Sequence, residues 1–114
     1  MFPNSPVTTF NTLVLRADYN NSWIHWDPAA RPRAQRTRDA WMKDSHRAMG
    51  WVAPHNRYLH LYLNGLYWGI YDATERPDTS FAASYFGGSR EDYDVINEFE
   101  AKDGTLDAFQ ALHS

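Results

Sequence analysis

Glu75 sits beside Arg76 and just ahead of Pro77, where an alternating apolar run gives way to polar turn residues. A carboxylate there is either an exposed loop acid or a partly buried one paired with an arginine from the preceding helix, Arg38 being the natural partner. Tyr58, Tyr62, Tyr67 and Tyr71 form a second group, spaced to share one strand face with His60 and with Gly69, which carries no side chain. Rings on one face can stack on a sugar or peptide, and a glycine among them leaves a notch for a flat ligand or a second backbone. The plainer alternative is an aromatic sheet face covered by a helix or loop.

Other chemistry is poorly supported. His25, His46, His55, His60 and His113 fall in unrelated segments, and no His-Glu-x-x-His spacing occurs, so no metal ligand is assigned. Asp92, Asp94, Glu98, Glu100, Asp103 and Asp107 do not follow the ligand spacing of a calcium loop and read as a solvated face. No Gly-x-Ser-x-Gly elbow or phosphate-loop glycine pattern is present, and Gly87-Gly88-Ser89 reads as a helix stop.

The elements that must position these residues follow from periodicity and turn chemistry. Asn64-Gly65 between two alternating runs is a strong hairpin signal, and predicts antiparallel strands over Arg57 to Asp72. A two-residue turn fixes the register and sets Leu61 opposite Trp68, His60 opposite Gly69 and Tyr58 opposite Tyr71. That register places Leu59, Leu61, Leu63, Leu66, Trp68 and Ile70 on a core face and the tyrosines on the other. A short strand is expected over Asn11 to Ala17, and a turn-rich segment over Asp18 to Pro32 in which Trp23 and Trp26 pack inward. Arg33 to Met49 reads as a helix, begun near Pro32 and stopped by Gly50, with Trp41 buried and Asp39 paired to Lys43. Thr79 to Phe86 reads as a helix capped by Asp78, Tyr93 to Asn97 as a brief strand, and Thr105 to His113 as helical turns.

With 114 residues the chain makes one small domain at most, and 11 Lys+Arg against 14 Asp+Glu leave a formal charge of −3. That balance argues against a nucleic-acid partner. Only Lys43 and Lys102 are lysines, so the other basic residues are arginines suited to planar pairing. Cysteine is absent, which removes disulfides and thiol chemistry. No run of about 18 apolar residues suggests a membrane span, no signal peptide opens the chain, and the compartment is left open. The fold class is α+β, an antiparallel β-hairpin packed with helices.

A series of motifs resembles the CotH (spore coat protein H) kinase family. Thr37-Arg38-Asp39 on a helix is followed by Met49-Gly50, then by Leu-Tyr-Leu-Asn-Gly-Leu-Tyr-Trp-Gly-Ile-Tyr within Tyr58 to Asp72. Glu75-Arg76-Pro77-Asp78, Phe81, Tyr85-Phe86-Gly87 and Asp92-Tyr93-Asp94-Val95-Ile96 complete it. The order and spacing cover roughly residues 10 to 112, and Asn97 stands where the family often has lysine.

The resemblance implies an atypical protein-kinase-like fold that uses ATP and Mg²⁺ or Mn²⁺ to phosphorylate protein hydroxyls, often in bacterial spore-coat or extracellular settings. By that reading the chain is the middle portion of such a domain. The nucleotide-covering segment lies before Met1 and the catalytic and metal-binding aspartates lie after Ser114, so no catalytic residue is assigned here and the remainder of the kinase domain becomes a required partner. The chain alone is then expected to be inactive and to bind no cofactor tightly. Tyr67, Gly69, Tyr71 and Glu75 are the expected wall of the nucleotide site, with Arg38 and Glu75 as a structural ion pair. The alternative from another class is a small aromatic-faced module binding sugar or peptide.

Overall fold

The computed structural model describes residues 1–18 and 21–113; Asn20 of the expected turn segment and Ser114 lie outside them. Strand β1 (Leu13–Arg16), helix α1 (Arg38–Ala48), strands β2 (Asn56–Leu63) and β3 (Leu66–Glu75), and helix α2 (Thr79–Phe86) come first. Strands β4 (Val95–Asn97) and β5 (Glu100–Asp103) and helix α3 (Asp107–His113) follow. The architecture is mixed α and β with antiparallel strands: a sheet ordered β1-β3-β2 and a separate β4-β5 ribbon.

The hairpin turns at Asn64-Gly65, whose φ angles of 51° and 79° suit the tight turn that matches strand twist. Its register agrees with expectation only at the tip, where Tyr62 faces Tyr67 and Leu63 faces Leu66. Beyond them Trp68 is skipped, Leu61 pairs with Gly69, His60 with Ile70, Leu59 with Tyr71 and Tyr58 with Asp72. A β-bulge at Trp68 corrects the predicted pairing and moves every later β3 residue to the opposite face. Gly69 carries the backbone irregularity with a φ of 114°, and an added Cβ would meet open space, so its φ is what demands glycine.

One sheet face therefore holds Leu59, Leu61, Leu63, Leu66, Gly69, Tyr71, Ala73 and Glu75, and the other holds Tyr58, His60, Tyr62, Tyr67, Ile70, Asp72 and Thr74. The expected aliphatic core face does not form, because Leu63, Leu66, Trp68 and Ile70 are exposed. Burial is concentrated at the other end of β3, where Asp72, Ala73, Thr74 and Glu75 are almost fully enclosed. There β3 is the central strand, bonded to β1 through Leu13↔Glu75 to Arg16↔Asp72 and to β2 through Asn56↔Thr74.

Helix α1 begins later than predicted. Pro32 lies in a single 3-10 turn (Arg31–Arg33), and Ala34, buried and extended with ψ of 124°, interrupts the coil before the helix starts after Thr37, whose side chain makes no capping bond. Burying that small residue overrides the helical propensity around it. The helix also docks by an unexpected face. Trp41 is 65% exposed, while Lys43 donates to Thr74 Oγ1 at 2.9 Å and Arg47 to Pro54 O at 2.6 Å. Asp39 accepts from Arg16 and from Lys43, each at 2.8 Å, the second being the anticipated i,i+4 pair. Trp23 and Trp26 are likewise exposed, against the expectation that each packs inward.

Helix α2 matches its prediction, with Asp78 Oδ1 accepting from the Phe81 N–H at 2.9 Å and Gly87 ending it at a φ of 84°. Strand β5 was not expected from sequence; its turn uses Glu98 and Phe99 at φ of 53° and 64°, non-glycine residues that give little warning of a hairpin. Among the described residues no helix is long and apolar enough to cross a membrane.

Candidate functional site

The most enclosed polar cluster surrounds Glu75, only 2% exposed at the end of β3. Its Oε2 accepts from the His55 backbone N–H at 2.6 Å, and His55 Nδ1 lies 3.1 Å from the same oxygen. The Tyr85 hydroxyl from α2 is 2.9 and 3.0 Å from the two carboxylate oxygens and 2.9 Å from His55 Nδ1. A phenol has one proton, so it donates to Glu75 and the Nδ1–H tautomer of His55 donates in turn. Ser5 Oγ, 3.1 Å from the Tyr85 oxygen, ties the N-terminal lead to the cluster. Burial pushes the Tyr85 phenol up; the Ser5 bond works against that and the Glu75 bond adds to it.

The backbone continues this wiring. Glu75 N donates to His55 O at 3.0 Å, and Thr74 Oγ1 donates to the same carbonyl at 3.2 Å while accepting from Lys43. Phe2, itself buried, and Tyr85 flank the His55 ring at 6.2 and 6.3 Å. Glu75 thus fastens the start of β2, the end of β3, α2 and the N-terminal lead at one point. The arrangement fixes the chain as it leaves the sheet at Arg76, and each carboxylate oxygen has a partner within the fold.

The expected ion pair between Arg38 and Glu75 is absent. Arg38 lies exposed at the start of α1 and its Nη2 donates to Arg33 O at 2.9 Å. Glu75 is satisfied instead by His55 and Tyr85. The wall expected from Tyr67, Gly69, Tyr71 and Glu75 is divided by the bulge: Gly69, Tyr71 and Glu75 share one face and Tyr67 the other. Tyr67 instead joins Tyr62, with ring centres 5.1 Å apart, and bonds His60 Nδ1 at 2.9 Å. For the same reason the four tyrosines do not form a single stacking platform.

Sequence reasoning singled out Glu75 but missed its partners. His55 donates mainly through its backbone, which no residue pattern reveals; Tyr85 had a usable signal, following Phe81 by one helical turn on α2, and the two rings sit 4.5 Å apart.

A second polar group lies on the α1 side. Asp72, 1% exposed, accepts from Asn56 Nδ2 at 3.0 Å and lies near buried Asp18. Burial first, then the Asp72 charge, raises the Asp18 carboxyl above its ordinary range, with Arg16 and Arg36 opposing. The Tyr58 hydroxyl is raised by burial and then by the Asp72 and Asp18 charges, and it donates to Arg36 O at 2.5 Å.

Beyond Glu75 the linker borders a groove of about 600 Å³ lined by Thr12, Arg76, Pro77, Val95, Ile96 and Lys102, among others. Asp103 closes one end by accepting from Thr79 Oγ1 at 2.6 Å; that bond is the main reason its carboxyl is held below its ordinary range. Among the described residues no group of three His, Asp or Glu side chains converges to hold a metal ion.

Comparisons with known proteins yield one match. Neither a curated protein nor a solved structure matches the chain. The family model described as CotH kinase protein matches residues 30–103, a span that runs from the turn before α1 through the Glu75 cluster to the end of β5. By that match over most of its length, the chain belongs to the CotH kinase protein family.

Proposed function

We propose that the chain serves ATP-dependent phosphorylation of protein Ser or Thr hydroxyls, as part of an atypical protein-kinase-like domain. The family match over residues 30–103 carries this reading. The hairpin followed by a fixed linker corresponds to the last small-lobe strands and hinge of a kinase, and α1 corresponds to the helix behind the nucleotide.

The residues of this chain fit only a share of that task. Gly69 and Tyr71 share a face, whereas Glu75 is consumed by His55 and Tyr85 and Tyr67 points the other way. The groove beside Arg76 suits a nucleotide better. Its volume lies within the usual range for small-molecule sites, Pro77, Val95 and Ile96 offer apolar contact for a base, and Arg76 offers positive charge, while Lys102 is paired with Glu100 and Asp78 and Asp103 also line the groove. No metal-ligating trio is present among the described residues, so no step is assigned to Mg²⁺ or Mn²⁺ here. Phosphoryl transfer depends on metal, lysine and acids acting together. The role of these residues is to hold the linker and one wall of the site, and turnover by the chain alone is expected to be absent.

Titration with ATP, followed by calorimetry, tests the reading. Binding is expected, and Arg76→Ala should weaken it about tenfold by removing one charge-assisted contact. Absence of binding at millimolar ATP, or equal binding by Arg76→Ala, would overturn the assignment of the groove.

A further inference from the structure

We propose that two copies of this chain associate through β2, edge to edge, to make one continuous antiparallel sheet. In the order β1-β3-β2 the strand β2 is the outer edge, eight residues long, and among the described residues no strand pairs with its far side. Open edges are normally blunted by lysine, proline or a bulge. From Tyr58 to Leu63 this edge has neither a charge nor a proline. The hairpin's one bulge places its extra residue, Trp68, on β3, so the irregularity falls on the inner strand and leaves β2 regular.

A second copy is the occupant that this edge fits. A two-fold axis normal to the sheet pairs β2 with itself antiparallel, and directly opposed residues then share a face. In the register centred on Leu61, Leu61 meets its own copy and Leu59 meets Leu63 on one face, while His60 meets Tyr62 on the other. With Tyr58–Leu63 free of Lys, Arg, Asp and Glu, the pairing brings together no fixed like charges. Tyr58, Tyr62, Leu63, Leu66, Tyr67, Trp68 and Ile70 are between 37% and 68% exposed. At side-chain areas of about 150–250 Å² for the aromatic ones, these residues expose several hundred Å², against roughly 800 Å² per partner in a standard interface. A strand contact covers part of that surface, which gives a weak dimer held by backbone hydrogen bonds, dissociating at about 10–100 µM.

Sedimentation velocity over about 1–300 µM, a range bracketing that affinity, tests the proposal together with amide exchange at both extremes. The expected result is a monomer at the low end, a discrete dimer at the high end, and concentration-dependent protection confined to β2 amides within 58–63. Tyr62→Lys, which changes an exposed side chain at the edge, should shift the midpoint at least about tenfold upward while leaving the circular dichroism spectrum unchanged. Leu112→Lys, at a still more exposed position on α3, should leave the midpoint where it is. A monomer throughout, open-ended aggregates without a discrete dimer, a dimer unaffected by Tyr62→Lys, or one equally weakened by Leu112→Lys would each overturn it.

Discussion

The two ends of β3 are built on opposite plans. At Asp72–Glu75 the strand is central, nearly inaccessible and surrounded by acids, a histidine, a threonine and a tyrosine joined by hydrogen bonds. At Leu66–Ile70 it has one strand neighbour and displays leucine, tyrosine, tryptophan and isoleucine to solvent. Chain order, not polarity, separates the two: what buries the first end is that β1, α1, α2 and the N-terminal lead all converge on it. A polar group enclosed in this way must be paired, because an unmet donor or acceptor costs more than the bond itself contributes. Stability is therefore expected to reside in the wiring around Glu75, with little dependence on the apolar tip.

The strongest way to break that contrast is Glu75→Ala. It strands the His55 N–H and the Tyr85 hydroxyl in an enclosed site, and a loss of about 3 kcal/mol is expected in urea denaturation. Tyr85→Phe keeps the ring and removes only the hydroxyl shared by Glu75, His55 and Ser5, for an expected loss of about 1–2 kcal/mol in the same measurement. Asp78→Ala removes the cap of α2 and should cost about 1 kcal/mol.

Acid titration sharpens the comparison through two carboxyls of opposite sign. Asp103 is lowered in the fold by Thr79, so its contribution is present above the ordinary Asp range and is lost as pH falls through its lowered value. Thr79→Val should remove that part of the acid sensitivity. Asp18 is raised by burial and by Asp72, so the fold carries a penalty when Asp18 is ionised, relieved as pH falls through its raised value. Asp18→Asn should increase stability at neutral pH and flatten the curve between the ordinary Asp range and the raised value, as thermal melts at a series of pH values would show. The smallest effect is expected at the tip: Trp68→Ala, at a 58% exposed position, should change urea stability by less than about 0.5 kcal/mol.

Much of the local structure was legible in the residues themselves. Asn64-Gly65 specifies a tight turn because both positions tolerate positive φ, and Asp78 with Gly87 delimits α2 because caps satisfy the free backbone groups of helix ends. Glu75 was recognisable as unusual from its place between strand and helix. Its partners were not, since His55 and Tyr85 lie 20 and 10 residues away and meet it only once three elements converge.

Local chemistry alone therefore determined the Asn64-Gly65 turn and the two ends of α2, because these depend on φ preference and hydrogen bonding among near neighbours, whereas the β4-β5 turn and the start of α1 did not follow from it. Only the tertiary structure decided which faces are inside. The Trp68 bulge reverses the sidedness of β3 for the rest of its length, since side chains alternate and one skipped residue exchanges the faces. Helix α1 turns Asp39, Lys43 and Arg47 inward and leaves Trp41 outside because the surface it meets offers Arg16, Thr74 and the carbonyl of Pro54, polar partners that the helix's own periodicity cannot anticipate.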